Sequence, residues 1–256
     1  MGVQNGVKLK VENITKNFIK NGATIKAVDD ISFEVKNNEF LVILGPGYCG
    51  KTVLLNMIMN LLKPDKGVVY LDNQIMTKEK MENKFAMIFQ KLGLMPWKTV
   101  LENTELGPKL QGENKKTRRE RAKKYIDLVG LTGFENNYPH QLSGGMKQRV
   151  GIARAYTNEP EILIMDEPFG QLDAQTRYNM EEELIKLWEK EKRTVIFVTN
   201  NIEEAAFLGD RIILLTEFPA RVKKIYEINL PRPRNMTSIE FLNLRKEISE
   251  NTDLAL

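Results

Sequence analysis

The chain has 256 residues, 42% of them hydrophobic, enough for one large domain or two small ones with a proper buried core. Its 38 basic and 34 acidic residues leave a formal net charge of +4, too slight to demand a nucleic-acid or anionic-lipid partner. A single cysteine, Cys49, excludes an intramolecular disulfide and suits a reducing compartment.

The amino terminus, MGVQNGVKLK, lacks the apolar core of a secretory signal, and no stretch approaches the ~18 apolar residues of a membrane span, so a soluble chain is expected. Met1-Gly2 would suit myristoylation, but Gly6 stands where Ser or Thr is required. Strands are predicted over residues 9–14, 31–35, 40–44, 68–71, 85–89, 162–165, 194–198 and 211–215. Four of these, at 40–44, 162–165, 194–198 and 212–215, are almost unbroken apolar runs of the kind covered on both faces. With helical patterns between them they predict a parallel α/β core.

From about residue 91 to 155 the character shifts to helix formers and charge, with Gly93, Pro96, Gly107-Pro108 and Gly112 marking turns, which predicts an inserted helical subdomain. The basic run at 115–124 could touch phosphates. The apolar stripe of Ala122, Ile126 and Val129 beside it favours a solvated helix face. After Tyr226, Pro231 and Pro233 break regular structure, and Ser238 followed by Ile239, Leu242, Leu244 and Ile248 predicts a capped amphipathic helix. The expected organisation is one domain over 1–235, with the insertion, and a docked C-terminal helical tail over 236–256.

Three stretches carry chemistry. The first, GPGYCGKT at 45–52, has the spacing of a turn whose main-chain N–H groups wrap phosphates while the following helix points its positive end at them. Lys51 would reach the β and γ phosphates and the Thr52 hydroxyl a magnesium ion, the alternative being a plain glycine-rich turn. The second, ILIMDE at 162–167, is an apolar strand ending in two carboxylates, which suits Asp166 to a phosphate-bridging metal and Glu167 to an attacking water, or is merely a strand end. The third, LSGGMKQR at 142–149, places a hydroxyl and two glycines at a helix start, either to grip an anion or as an ordinary cap. Cys49 reads as a small packed residue rather than a nucleophile, and the solitary His140 cannot build a metal site.

With these motifs the chain resembles, from about residue 9 to 234, the ATP-binding cassette ATPases that power ABC transporters. LSGGMKQR looks like the family signature and ILIMDEP like its Walker B strand. The resemblance implies an α/β P-loop ABC-type ATPase core with a mixed sheet, an N-terminal antiparallel β subdomain and an inserted helical subdomain. It implies ATP and Mg2+ as cofactors. Phosphates would lie on the turn running through Gly45, Pro46, Gly47, Tyr48, Cys49, Gly50, Lys51, Thr52 and Val53. Phe18 would stack on adenine, Thr52, Gln90 and Asp166 would surround the metal, and Glu167 would activate water.

Gln90 in MIFQ looks like the Q-loop glutamine, Asp173 in GQLDAQTR like the D-loop aspartate, and Asn200 falls at the switch position. In this family two cassettes close head to tail, so Ser143, Gly144 and Gly145 would serve a nucleotide held mainly by the opposite chain. LMPWKTV, YPHQLSGGMKQRV, DEPFGQLDAQTR and LPRPR are similar to importer ATPases of the nitrate, sulfonate and taurine group. That similarity implies a second ABC ATPase chain, transmembrane permease subunits, a separate solute-binding protein, no nucleic acid, and a peripheral position on the cytoplasmic side of the cell membrane.

The chain departs from the family at two places. The family turn usually reads Gly-Pro-Ser-Gly-Cys-Gly-Lys-Ser-Thr, whereas here Gly47-Tyr48 replaces Ser-Gly and Val53 replaces the second hydroxyl. A tyrosine forced to positive φ costs about 1–2 kcal/mol, and a lost hydrogen bond to a charged group about 1.5–3 kcal/mol. Asn200, in FVTNNIEEA, stands where the family has a histidine; it donates one neutral hydrogen bond and cannot carry a proton. Asn200 or Asn201 with Glu203 or Glu204 also reads as a helix cap. A weakly or non-hydrolysing nucleotide-binding partner in an asymmetric heterodimer is therefore an alternative to the importer ATPase, and a soluble cassette acting on DNA or ribosomes is another. The sequence leaves homodimer against heterodimer open.

Overall fold

The computed structural model describes residues 6–77 and 84–252, so Met1-Gly2 and the last four residues of the expected tail lie outside it. In chain order the elements are β1 (Val7–Lys20), β2 (Ala23–Lys36), β3 (Phe40–Leu44), α1 (Lys51–Ile58), β4 (Lys66–Leu71), β5 (Gln74–Ile75), β6 (Phe85–Ile88), α2 (Val100–Thr104), α3 (Leu106–Leu110) and α4 (Lys115–Leu128). After a 3-10 turn at Pro139–Gln141 follow α5 (Gly144–Thr157), β7 (Ile162–Asp166), α6 (Ala174–Glu191), β8 (Thr194–Thr199), α7 (Ile202–Leu208), β9 (Arg211–Leu215), β10 (Val222–Glu227) and α8 (Ile239–Asn251). No helix among the described residues is long and apolar enough to cross a membrane. The chain divides into two compact units, residues 1–82 with 194–256, and residues 83–193.

The first unit contains an antiparallel sheet in the order β2-β1-β4-β5. In β2, Ile31, Phe33 and Val35 are buried while Ser32 and Glu34 face water, the period-two pattern of a sheet covered on one side. Its second sheet sets β3 parallel to both β8 and β9, with β10 antiparallel on the far side of β9, and is therefore mixed. All of Phe40–Leu44 and all of Thr194–Thr199 are buried, as the unbroken apolar runs predict. Helix α7 packs on β3 and α8 packs on α7; Phe241 and Ile248 are the buried residues of α8. Ser238 caps α8 as its sequence predicts, its hydroxyl accepting the Phe241 N–H at 3.2 Å.

The second unit pairs β6 with β7 in parallel and gathers α2, α3, α4 and α6 around α5. It begins before the predicted helical insertion and ends after it, because β6 and α6 pack with α5 and β7 pairs with β6. Helix α4 buries Ala122, Tyr125 and Ile126. Its basic residues are less free than a solvated face would be: Arg118 and Arg119 both reach the buried Glu105, at 3.0 and 3.4 Å, and Lys124 reaches Glu191 at 2.9 Å. Arg121 adds pairs with Glu113 and Glu159. Those four are compensated by their own neighbours, while Lys115, Lys116 and Lys123 are exposed as a solvated face predicts.

Candidate functional site

Each unit carries candidate residues of its own. In the first, β3 ends at Leu44 and the chain turns through residues 45–50 into α1, whose first residue is Lys51. The Gly45 N–H donates to the Thr199 carbonyl at 3.3 Å, tying the start of the turn to the end of β8 and so to the segment bearing Asn200. Lys51 is 5% exposed, and its Nζ donates to the carbonyls of Gly45 at 2.9 Å and Pro46 at 2.6 Å, so the turn closes around its own lysine. Thr52 is exposed on the first turn of α1, and Val53 is half-buried beside it. Gly50, the N-cap of α1, brings no side chain to cap with, and the start of a helix points its positive end outward, where it favours an anion.

Tyr48 does adopt positive φ, at 61°. Most other non-glycine residues in that region are Asn or Asp, whose short side chains tolerate it; tyrosine costs about 1–2 kcal/mol there. The ring does not fill the turn. It is 102% exposed, projecting into solvent beside the exposed Gly47. Asn60 likewise has φ 52°. Cys49 is 1% exposed, its N–H donating to the Pro46 carbonyl at 3.4 Å, so it is a packed residue of the turn.

That burial gives a probe. A buried thiol reacts only when the turn opens, and a ligand that binds the closed turn suppresses opening by 1 + [L]/Kd. MgATP at ten times its Kd is expected to slow Cys49 alkylation about tenfold. Equal rates with and without MgATP, followed by mass spectrometry, would show that phosphates do not contact the turn.

Asn200 is exposed, and its two neighbours are fixed. Thr199 Oγ1 accepts the Asn201 N–H at 2.9 Å and donates to Glu204, while Asn201 Oδ1 accepts the N–H groups of Glu203 at 2.8 Å and Glu204 at 3.2 Å. Of the two expected caps, Asn201 is therefore the one used, which frees Asn200 to face outward. Phe18 lies on β1 opposite Ile25, 40% exposed, with Lys16 Nζ 5.8 Å from its ring centre.

In the second unit, Asp166 is the last residue of β7 and Glu167 follows it, both half-buried. Glu167 has φ 43°, and its carbonyl accepts the Gly170 N–H at 3.2 Å, closing a tight turn off the strand. Gln90 comes to that turn: its Nε2 lies 3.4 Å from where a Cβ on Gly170 would sit. The loop after Gln90 is held by Arg154 of α5, which donates to the carbonyls of Leu92 and, at 2.9 Å, Gly93. Burial lowers the pKa of Arg154 from its ordinary value. Sequence reasoning misses Arg154, whose one signal is a basic residue on an otherwise buried helix face.

Ser143 caps α5, its hydroxyl accepting the Met146 N–H at 3.3 Å, and both Ser143 and Gly144 are exposed. Asp173 caps α6 by accepting the Thr176 N–H at 3.0 Å, and that bond holds its carboxyl below the ordinary range. The two caps adjoin, since a Cβ on Gly145 would lie 3.1 Å from Thr176 Cγ2. Gln90, Gly144, Lys147, Gln148 and Leu172 share one cavity of about 390 Å³. His140 stacks on Tyr138, ring centres 5.9 Å apart.

Residues 28–170 match the family model described as ABC transporter. An uncharacterized ABC transporter ATP-binding protein of Methanocaldococcus jannaschii is 53% identical over 94% of this chain and 90% of its own. The aliphatic sulfonates import ATP-binding protein of Bacillus cereus is 39% identical over 94% of both. Among solved structures, the ATP-binding cassette MJ0796, a dimer in a post-hydrolysis state bound to ADP and Pi, superposes with a TM-score of 0.75 at 34% identity, covering 87% of this chain and all of that one. A turn closed on its lysine, a carboxylate pair at a strand end, a capped signature helix and these likenesses converge: the chain belongs to the ABC transporter family, as one of its ATPase cassettes.

Proposed function

We propose that this chain drives an importer for small anions of the sulfonate, nitrate and taurine kind by binding and hydrolysing ATP. The turn from Gly45 to Val53 holds the phosphates with Lys51 at its centre, and Phe18 takes the adenine. Thr52 and Asp166, with Gln90, hold magnesium; hydroxyl, carboxylate and amide oxygens are the hard donors that ion prefers. Magnesium, when bound, neutralises charge on the phosphate oxygens. Glu167 activates water, Asn200 occupies the switch, and Ser143, Gly144, Gly145 and Asp173 serve a nucleotide held mainly by a second cassette. Permease subunits and a solute-binding protein complete the assembly, with this chain peripheral on the cytoplasmic side of the membrane. The domain is taken as residues 1–235, carrying the helical insertion of about 91–155, with 236–256 as its tail.

The observation that carries the nucleotide reading is the turn itself, intact around Lys51 with Tyr48 directed away from it. The anion class rests on the sulfonate-importer relative from Bacillus cereus, and hydrolysis is favoured over a non-hydrolysing partner by the likeness to a cassette caught after hydrolysis. Titration with MgATP in a calorimeter tests the first; no heat removes it. Uptake of labelled alkanesulfonate, taurine and nitrate in cells expressing the chain with its permease tests the second, and failure with all three would exclude that solute class.

Asn200→His tests the switch. Histidine adds a group able to carry a proton, so kcat is expected to rise about tenfold with KM for ATP little changed. Fast turnover that the substitution leaves untouched would remove Asn200 from the mechanism.

A further inference from the structure

Helix α7 begins two residues after Asn200 and is only seven residues long. A helix that short has little stability of its own and takes its order from what holds its ends. Its last four carbonyls, three of them beyond the reach of the helix's own N–H groups, are all engaged. Ala205 accepts the Gly209 N–H at 3.1 Å. Ala206 and Phe207 both accept from Arg234 Nη1, at 2.9 Å each, and Leu208 accepts from Arg232 Nη2. Two guanidinium groups from one short stretch, LPRPR, thus close the carbonyl end, where a helix dipole favours positive charge.

The same tail returns to the opposite end of the helix. Arg245 of α8 pairs with Glu203, in the first turn of α7, at 3.0 Å. Arg234 is 7% exposed; burial, and then the neighbouring Arg232, push its pKa down to about 10, so it remains charged at neutral pH. Arg232 also pairs with Asp210, whose other carboxylate oxygen accepts the Phe40 N–H at 2.9 Å, anchoring the grip to the start of β3.

We propose that the C-terminal segment from Arg232 to Arg245 is a clamp on α7, and that Arg234 is a positioning residue for ATP hydrolysis, acting through α7 on Asn200. The clamp holds α7 by both ends, and the Asn201 cap passes that constraint to the residue before it. The catalytic half of the inference rests on the reading of Asn200 as the switch; the clamp does not.

Hydrogen exchange on the full chain, with Arg234→Ala and Arg234→Lys beside the natural protein, tests it. In Arg234→Ala the amides of α7 are expected to lose protection about tenfold or more, while β3 and β9 keep theirs, and lysine restores part of the loss. In the same variant kcat for ATP is expected to fall about five- to tenfold with KM within about twofold, the split of an effect on the reaction rather than on nucleotide binding. Unchanged protection of α7, or a loss spread evenly over β3, β8 and β9, overturns the clamp. Altered α7 protection with unchanged kcat overturns the positioning role.

If Arg234→Ala fails to fold, Arg245→Ala decides. Its exposed ion pair is worth little to global stability, yet the first turn of α7 is expected to lose about threefold in protection, restored by pairing Arg245→Glu with Glu203→Arg. No change in that turn overturns the clamp. Because exchange is read apart from turnover, an Asn200→His chain with unaltered kcat would overturn the reading of Asn200 while leaving α7 protection to judge the clamp.

Discussion

Glu167→Gln is expected to lower kcat for ATP hydrolysis about 10²- to 10⁴-fold, the usual contribution of a positioned general base, while MgATP binding stays within about threefold. The substitution keeps size and shape while removing the negative charge and the ability to take a proton. Glu167 is half-buried at the end of β7, and its positive φ and the Gly170 N–H bond turn the chain sharply off the strand there. Holding a non-glycine residue in that conformation costs of order 1–3 kcal/mol, a strain that recurs where a side chain must be aimed. Phosphate release gives kcat and calorimetry gives binding. Full turnover in Glu167→Gln would mean that the base lies elsewhere.

Gly50→Ala is expected to weaken MgATP binding at least about 100-fold and to lower stability by roughly 2–4 kcal/mol. Gly50 has φ 120°, and an added Cβ would lie 2.6 Å from the Ala27 carbonyl oxygen and 3.3 Å from Ala220 Cβ. Neither neighbour can retreat easily. The Ala220 N–H donates to that same carbonyl at 3.1 Å, and the Asp29 N–H donates to the Ala220 carbonyl at 2.9 Å. The turn must therefore move, and with it the N–H groups that open α1. Gly47→Ala is the control, since nothing lies within 4 Å of its added Cβ, and it should change stability by no more than about 0.5 kcal/mol. Equal melting and equal binding for the two variants would refute the account of the turn.

Strands buried on both faces are the most legible part of the fold. β3 has the bounds that its unbroken apolar run predicts, because hydrophobicity alone demarcates such a strand, and β9 exceeds its apolar run by one residue, Arg211. β1 and β2 run well past their predicted ends: Lys20 and Ala23 beside the hairpin turn are exposed and pair through main-chain bonds, and the buried Ala27, Val28 and Asp29 fall outside a simple alternation. β10 is not predicted at all: Lys223, Lys224 and the 45% exposed Ile225 give an edge strand whose existence depends on β9 beside it.

Of the candidate site, the phosphate turn is legible because spacing, glycine and lysine are local. The grip of Arg154 on the loop after Gln90, and of Arg232 and Arg234 on α7, is not. LPRPR can be quoted as a likeness, but a guanidinium reaching main-chain oxygens some 25 residues away leaves no pattern in a linear sequence.

Lys51 already rests on two oxygens of its own turn. The turn is thus arranged when the protein folds, so for a ligand that binds it as proposed the entropy of ordering the turn would not be lost a second time on association. On the proposed reading, a polyphosphate would exchange its oxygens for main-chain ones at the ammonium, a substitution that favours a ligand dense in negative charge and gives a weakly charged anion little advantage.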